Sequence, residues 1–73
     1  MVTVESVPPY QRIANDLEAD ITSGRLARGA RVPSLTTLSQ EYGVAKNTVI
    51  KAIDTLKAKE IIESRQGWGT FVK

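Results

Sequence analysis

The sequence predicts an α+β domain in which three helices and a short strand precede a C-terminal β-hairpin. Three observations predict it. Apolar residues recur at helical spacing in three segments, each bounded by residues that start or stop helices. The second and third segments are separated only by the stretch from Gly43 to Lys46. After Glu60 the helical period gives way to short strand-like runs around Gln66-Gly67-Trp68-Gly69. With 73 residues, the chain is near the lower size at which one apolar core holds a fold without disulfides or metal. A hydrophobic fraction of 41% is enough for such a core and argues against disorder.

Residues 1–8 read as a lead-in and 9–73 as the domain. Pro9 suits a first helical turn. Tyr10, Ile13, Ala14, Leu17 and Ile21 form one apolar stripe, so the first helix is expected over Tyr10–Ser23, with Gly24 as its stop. Asp16, Glu18 and Asp20 fall outside that stripe and read as a solvated face. A turn-rich connection follows, ending in an extended pair, Arg31-Val32, held so by Pro33. Ser34 is a natural N-cap for a short helix, Leu35–Tyr42, that buries Leu38 and Tyr42 and ends at Gly43. The third helix is expected over Lys46–Lys59. Ile61–Arg65 and Thr70–Val72 are the hairpin strands, and a hairpin so short must lie against the helices to persist. Two helices joined by a tight glycine turn, then a hairpin, is the order of a winged helix–turn–helix.

The third helix carries the most information. At about 100° per residue, Val49, Ala52, Ile53 and Leu56 share an arc of about 100° that reads as core. Lys46, Asn47, Ile50, Lys51 and Asp54 span about 140° on the opposite side. One face packs, while the other presents two cations and an amide near a helix N-terminus, whose backbone N–H groups favour phosphate. Ile50 on that face has two open placements, against a thymine methyl or at the core edge. Arg25, Arg28 and Arg31, in and beside the connection, are further candidates for phosphate contacts.

The net charge is only +2, but it is unevenly spread. Residues 1–20 hold Arg12 against Glu5, Asp16, Glu18 and Asp20, whereas the remainder holds an excess of five cations. Such a bias is the footprint of a polyanionic partner. The absence of Cys and His removes disulfides, thiolate metal sites, the commonest general base and the commonest metal ligand, so no cofactor, metal or catalysis is expected. No apolar run approaches the roughly 20 residues of a membrane span, and the first ten residues lack a signal-peptide pattern. A cytoplasmic address is therefore expected.

The motifs, taken in order, resemble the N-terminal DNA-binding domain of the GntR family of bacterial regulators across residues 8–72. The matching pieces are Pro9-Tyr10-Gln11-Arg12-Ile13, Ser23-Gly24-Arg25-Leu26 with Gly29, Val32-Pro33-Ser34 with Leu38, Tyr42-Gly43-Val44, Asn47-Thr48-Val49, Ala52, Leu56, and Arg65 to Val72. The resemblance implies that Lys46, Asn47 and Thr48 meet the major groove; Ile50 and Lys51, on the same outward face of the helix, are expected to contact DNA beside them. The resemblance also implies that Gln66 and Gly67 approach the minor groove and that Tyr10 contacts phosphate; Trp68 at the same tip, and Ser34 and Thr36 at the start of the second helix, are further candidate DNA contacts. This chain departs from the family's usual cations at Thr36, Ile50 and Trp68, and has Ala45-Lys46 where Ser or Thr then Arg is usual. Those departures imply a different footprint on the same fold.

Trp68 has two open readings, a ring folded over its own wing or a ring presented to DNA. The expected partner is double-stranded DNA, in a two-fold-symmetric site on which two copies of the domain dimerise. A winged helix used for protein–protein contact is the alternative, since the fold hosts several functions. The family's larger effector-binding or dimerising domain is absent from this sequence.

Overall fold

The computed structural model describes residues 7–73. The expected lead-in thus lies outside the described residues, apart from an exposed Val7 and the Pro8 that caps the first helix. The elements are α1 (Pro9–Ser23), α2 (Leu35–Tyr42), α3 (Lys46–Ala58), β1 (Ile62–Arg65) and β2 (Gly69–Val72). The expected boundaries hold to within a residue at each helix end. Pro9 joins α1 because the first-turn N–H it lacks has no intrahelical acceptor in any case. Gly69 belongs to β2 and not to the turn, because it pairs with Arg65 and closes the hairpin over three residues.

The core is one cluster. Ile13, Ala14 and Leu17 of α1 meet Leu38 of α2 and Val49, Ala52, Ile53 and Leu56 of α3, with Ile62 and Val72 closing it from the strands and Val32 from the stretch before α2. All four α3 residues expected inside are buried, Val49 and Leu56 with 0% of their surface exposed. Tyr10, Ile21 and Tyr42 sit at its margin, half-buried against it.

The hairpin pairs Ile62 with Val72 and Arg65 with Gly69, antiparallel throughout. It is anchored twice. Ile62 and Val72 insert into the core, and the extended stretch before α2 runs along β2. There the Val32 N–H donates to the Thr70 carbonyl at 2.7 Å, while Gly29 and Ala30 exchange bonds with Val72 at 2.9 Å. The wing therefore has a third, minimal partner that supplies the support a lone hairpin lacks.

Helices α2 and α3 end in the same way. The Val44 N–H reaches back to the Ser39 carbonyl and the Ile61 N–H to that of Leu56, each across one residue of positive φ. In α2 that residue is Gly43 (φ +65°), which makes the helix–turn–helix turn tight; in α3 it is Glu60 (φ +60°), in a region glycine favours. No helix among the described residues is long and apolar enough to cross a membrane.

Candidate nucleic-acid interface

The outward face of α3 is as the sequence arranges it. Lys46, Asn47, Ile50, Lys51 and Asp54 are exposed, and Thr48 is half-buried on the flank. Among the described residues, the side chains of Lys46 and Asn47 make no hydrogen bond or ion pair with another side chain. Ile50 keeps 40% of its surface in solvent, so it is not part of the core. Asp54 confines the cationic part of this face to its first turns.

Other candidate residues lie on both flanks of α3. On one side, Ser34, Leu35, Ile53, Gly69 and Thr70 line a single groove, which joins the start of α2, the flank of α3 and the base of the wing. Ser34 caps α2: its hydroxyl oxygen accepts from the Thr37 N–H at 3.1 Å, and the hydroxyl donates to Thr37 Oγ1 at 3.0 Å. Thr36 is exposed in the first turn of α2. On the other side of α3, the Lys51 ammonium lies 4.4 Å from the centroid of the Tyr10 ring. That contact was not legible in sequence, because it needs the α1–α3 packing to bring two distant residues together.

The wing projects Gln66, Gly67 and Trp68, all exposed. The Trp68 N–H donates to the Arg65 carbonyl at 2.8 Å, and Gly67 (φ +82°) and Gly69 (φ +119°) supply the reversals around it. Trp68 keeps 73% of its surface exposed, so of its two readings the structure has the outward-presented one and not the folded-back one. It is Arg65 that lies over Phe71, 5.2 Å from the ring centroid, with Nε and Nη2 donating to Glu63 Oε2 at 3.1 and 2.9 Å. Arg31 is drawn to the wing as well, its guanidinium lying where a side chain on Gly69 would go, Nε 3.0 Å from that position.

Other charges are tied elsewhere. Asp16 accepts from the Tyr42 hydroxyl at 2.8 Å, Glu18 pairs with Lys59 at 3.0 Å, and Asp20 with Arg25 at 3.6 Å. The acidic residues of α1, expected as a solvated face, do stand at the surface, and each also has a partner there. Exposed pairs of this kind contribute only about 0–1 kcal/mol each, so their effect is to orient more than to stabilise. Arg25 thereby stands near α1 and Arg31 beside Gly69, which leaves Arg28, among the described residues, as the cation of the connection without such a partner.

Comparison with known proteins gives the chain its family and its structural relatives. The model of the family described as bacterial regulatory proteins, gntR family, matches residues 9–72. The chain is 39% identical over 66 residues to the mannosyl-D-glycerate transport/metabolism system repressor MngR of Escherichia coli (strain K12), covering 90% of this chain and 28% of that protein. It is 40% identical over 67 residues to the HTH-type transcriptional regulator Rv0792c of Mycobacterium tuberculosis (strain ATCC 25618 / H37Rv), covering 92% of this chain and 25% of that one. The chain thus spans about a quarter of the length of these curated relatives. Among solved structures it is similar to the DNA-binding domain of AraR in complex with operator ORX1, with a TM-score of 0.91 and 29% identity over 99% of this chain and 87% of that one. The same domain in complex with operator ORR3 gives a TM-score of 0.88 and 31% identity over 92% of this chain and 81% of that one.

Proposed function

The chain belongs to the gntR family of bacterial regulatory proteins, and on that footing we propose that residues 9–73 are a non-enzymatic, sequence-specific module for double-stranded DNA. In this reading α3 enters the major groove and the wing tip meets the minor groove. The observation that carries it is the exposed, unpaired Lys46–Asn47 start of α3, on a face that stands away from the core. Asn47 can bind adenine through two hydrogen bonds and Lys46 can reach the acceptors of guanine. Ile50, half in solvent and flanked by both, offers an apolar contact for a thymine methyl. Thr48 and the first-turn N–H groups of α3 face phosphate, as do Thr36 and the Ser34 end of α2.

The likeness to AraR domains solved on operators supports the same placement. Transcription control on a two-fold-symmetric operator, with two copies of the domain side by side on the DNA, follows from it as part of the proposal, and the place of action is the bacterial cytoplasm. A gel-shift titration with mixed duplex, then selection from a random duplex pool, tests the reading. Retardation that weakens with salt and a selected half-site support it; no retardation even at low salt overturns it in favour of a protein-contact module.

A further inference from the structure

The outward arc of α3 has two ends, and its two lysines stand at them. Lys46 lies at the end bordered by Ile53, which lines the groove toward α2 and the wing. Lys51 lies at the other end, beside α1, and there its ammonium sits 4.4 Å from the centre of the Tyr10 ring. A cation over the face of a tyrosine is drawn to the negative π cloud. Tyr10 is itself fixed, half-buried against the core in the first turn of a helix that begins at Pro9. The exposed end of a flexible side chain is therefore held by a rigid platform, at the margin of the recognition face and not at its centre.

We propose that Tyr10 is a positioning residue that holds the Lys51 ammonium at the α1 edge of α3, where it meets a backbone phosphate and not a base. The inference rests on the DNA-binding reading above and assigns Lys51 a sequence-independent part within it. The platform acts by sparing Lys51 the ordering that an unrestrained lysine undergoes on binding, about 0.5–1.5 kcal/mol for such a side chain, or roughly two- to tenfold in affinity. It also assigns the action of Tyr10 to its ring, whereas a direct phosphate contact would use the hydroxyl.

The test combines one measurement on the free domain with a mutant cycle on DNA. In the free domain, the Lys51 ε-methylene protons should be shifted upfield by the Tyr10 ring in proton NMR, and the shift should vanish in Tyr10→Leu and persist in Tyr10→Phe. With a selected duplex and an unrelated duplex, Lys51→Met should weaken both by the same factor and reduce the slope of log affinity against log salt by about one. Tyr10→Leu should weaken both two- to tenfold, Tyr10→Phe should restore the loss, and Tyr10→Leu should add nothing in a Lys51→Met background. If Tyr10→Leu fails to fold, the Tyr10→Phe and Lys51→Met measurements still decide. Loss of affinity in Tyr10→Phe, an unshifted Lys51 resonance, or a Lys51→Met effect confined to the selected duplex would each overturn the proposal. Failure of the unmutated domain to bind any duplex, with the upfield shift present, would overturn the DNA-binding reading and the proposal with it, while leaving the contact itself in place.

Discussion

At the residue scale, the chemistry of this domain lies in side chains that stand free of the core and in a few that are tied. Lys46→Ala and Asn47→Ala should each weaken binding to a selected duplex by about 1–3 kcal/mol. Both variants should keep the circular dichroism of the parent, because neither side chain is packed; an unfolded variant would contradict the exposure of this face. Tyr42 is the tied counterpart. Burial first, then its hydrogen bond to Asp16 and the carboxylates of Asp16, Asp20 and Glu41, push its phenol up to about 12. A folded-state value above the unfolded one, near 10, means that the neutral phenol's contribution is complete below about pH 10 and is lost as pH climbs through about 12. An ultraviolet titration should show a tyrosine ionising well above the ordinary range, and Tyr42→Phe should remove it. The same variant should lower stability at neutral pH by about 0.5–1.5 kcal/mol, the net worth of one hydrogen bond. Retention of the late-ionising tyrosine in Tyr42→Phe would show that the assignment is wrong.

At the scale of elements, what could be read from sequence was what is local. The three helices are specified by apolar spacing and by residues such as Pro9, Ser34 and Gly43 that act within one turn, so their ends could be placed closely. The α3 face was legible for the same reason, since a helical wheel needs no tertiary information. The pairing of Arg31 with Phe71 across the bridge, the tie of Glu18 to Lys59 and the stacking of Lys51 on Tyr10 were not legible. Each joins residues far apart in the chain, and no period or spacing encodes which surfaces meet. Helix α3 shows unused local stability at both ends. Ala45 occupies its N-cap with extended backbone and no side-chain cap, so Ala45→Ser should stabilise the domain by about 0.5–2 kcal/mol. Glu60 holds the left-handed position at the other end, where glycine avoids a cost of roughly 1–2 kcal/mol but surrenders part of it in chain entropy. Glu60→Gly should therefore stabilise by about 0.5–1 kcal/mol. Thermal melts check both; a lower melting temperature in either would mean the helix ends elsewhere.

Across the whole molecule, the candidate contacts flank α3, at Tyr10 on one side and at the groove beneath the wing on the other, on a domain whose net charge is only +2. Binding then depends on where the cations stand and not on their total. If about four to six phosphates are neutralised per domain, log affinity should fall with log salt at a slope of about −4 to −5. A slope near zero in a filter-binding or shift titration would count against this surface. The departures from the usual family cations at Thr36, Ile50 and Trp68 bear on the same number. If these positions face DNA as proposed, each replaces a charge with a neutral group there, so this domain should show a shallower slope than a relative carrying all three.

The wing tip turns the domain into its own optical instrument. Trp68 is the single tryptophan, and nearly three quarters of its surface faces water, held between two glycines of positive φ. Every tryptophan photon from the molecule therefore reports one place, the point where the wing would enter the minor groove. The free domain should emit at the long wavelengths of hydrated indole. Titration with operator-length duplex should quench that emission or move it to shorter wavelengths as the ring leaves water for the groove wall. Unfolding should change it little, because the ring is already wet. Trp68→Ala should weaken binding while altering stability by less than about 0.5 kcal/mol. An emission that ignores saturating duplex would place the wing tip away from the DNA, even in a complex that α3 alone holds together.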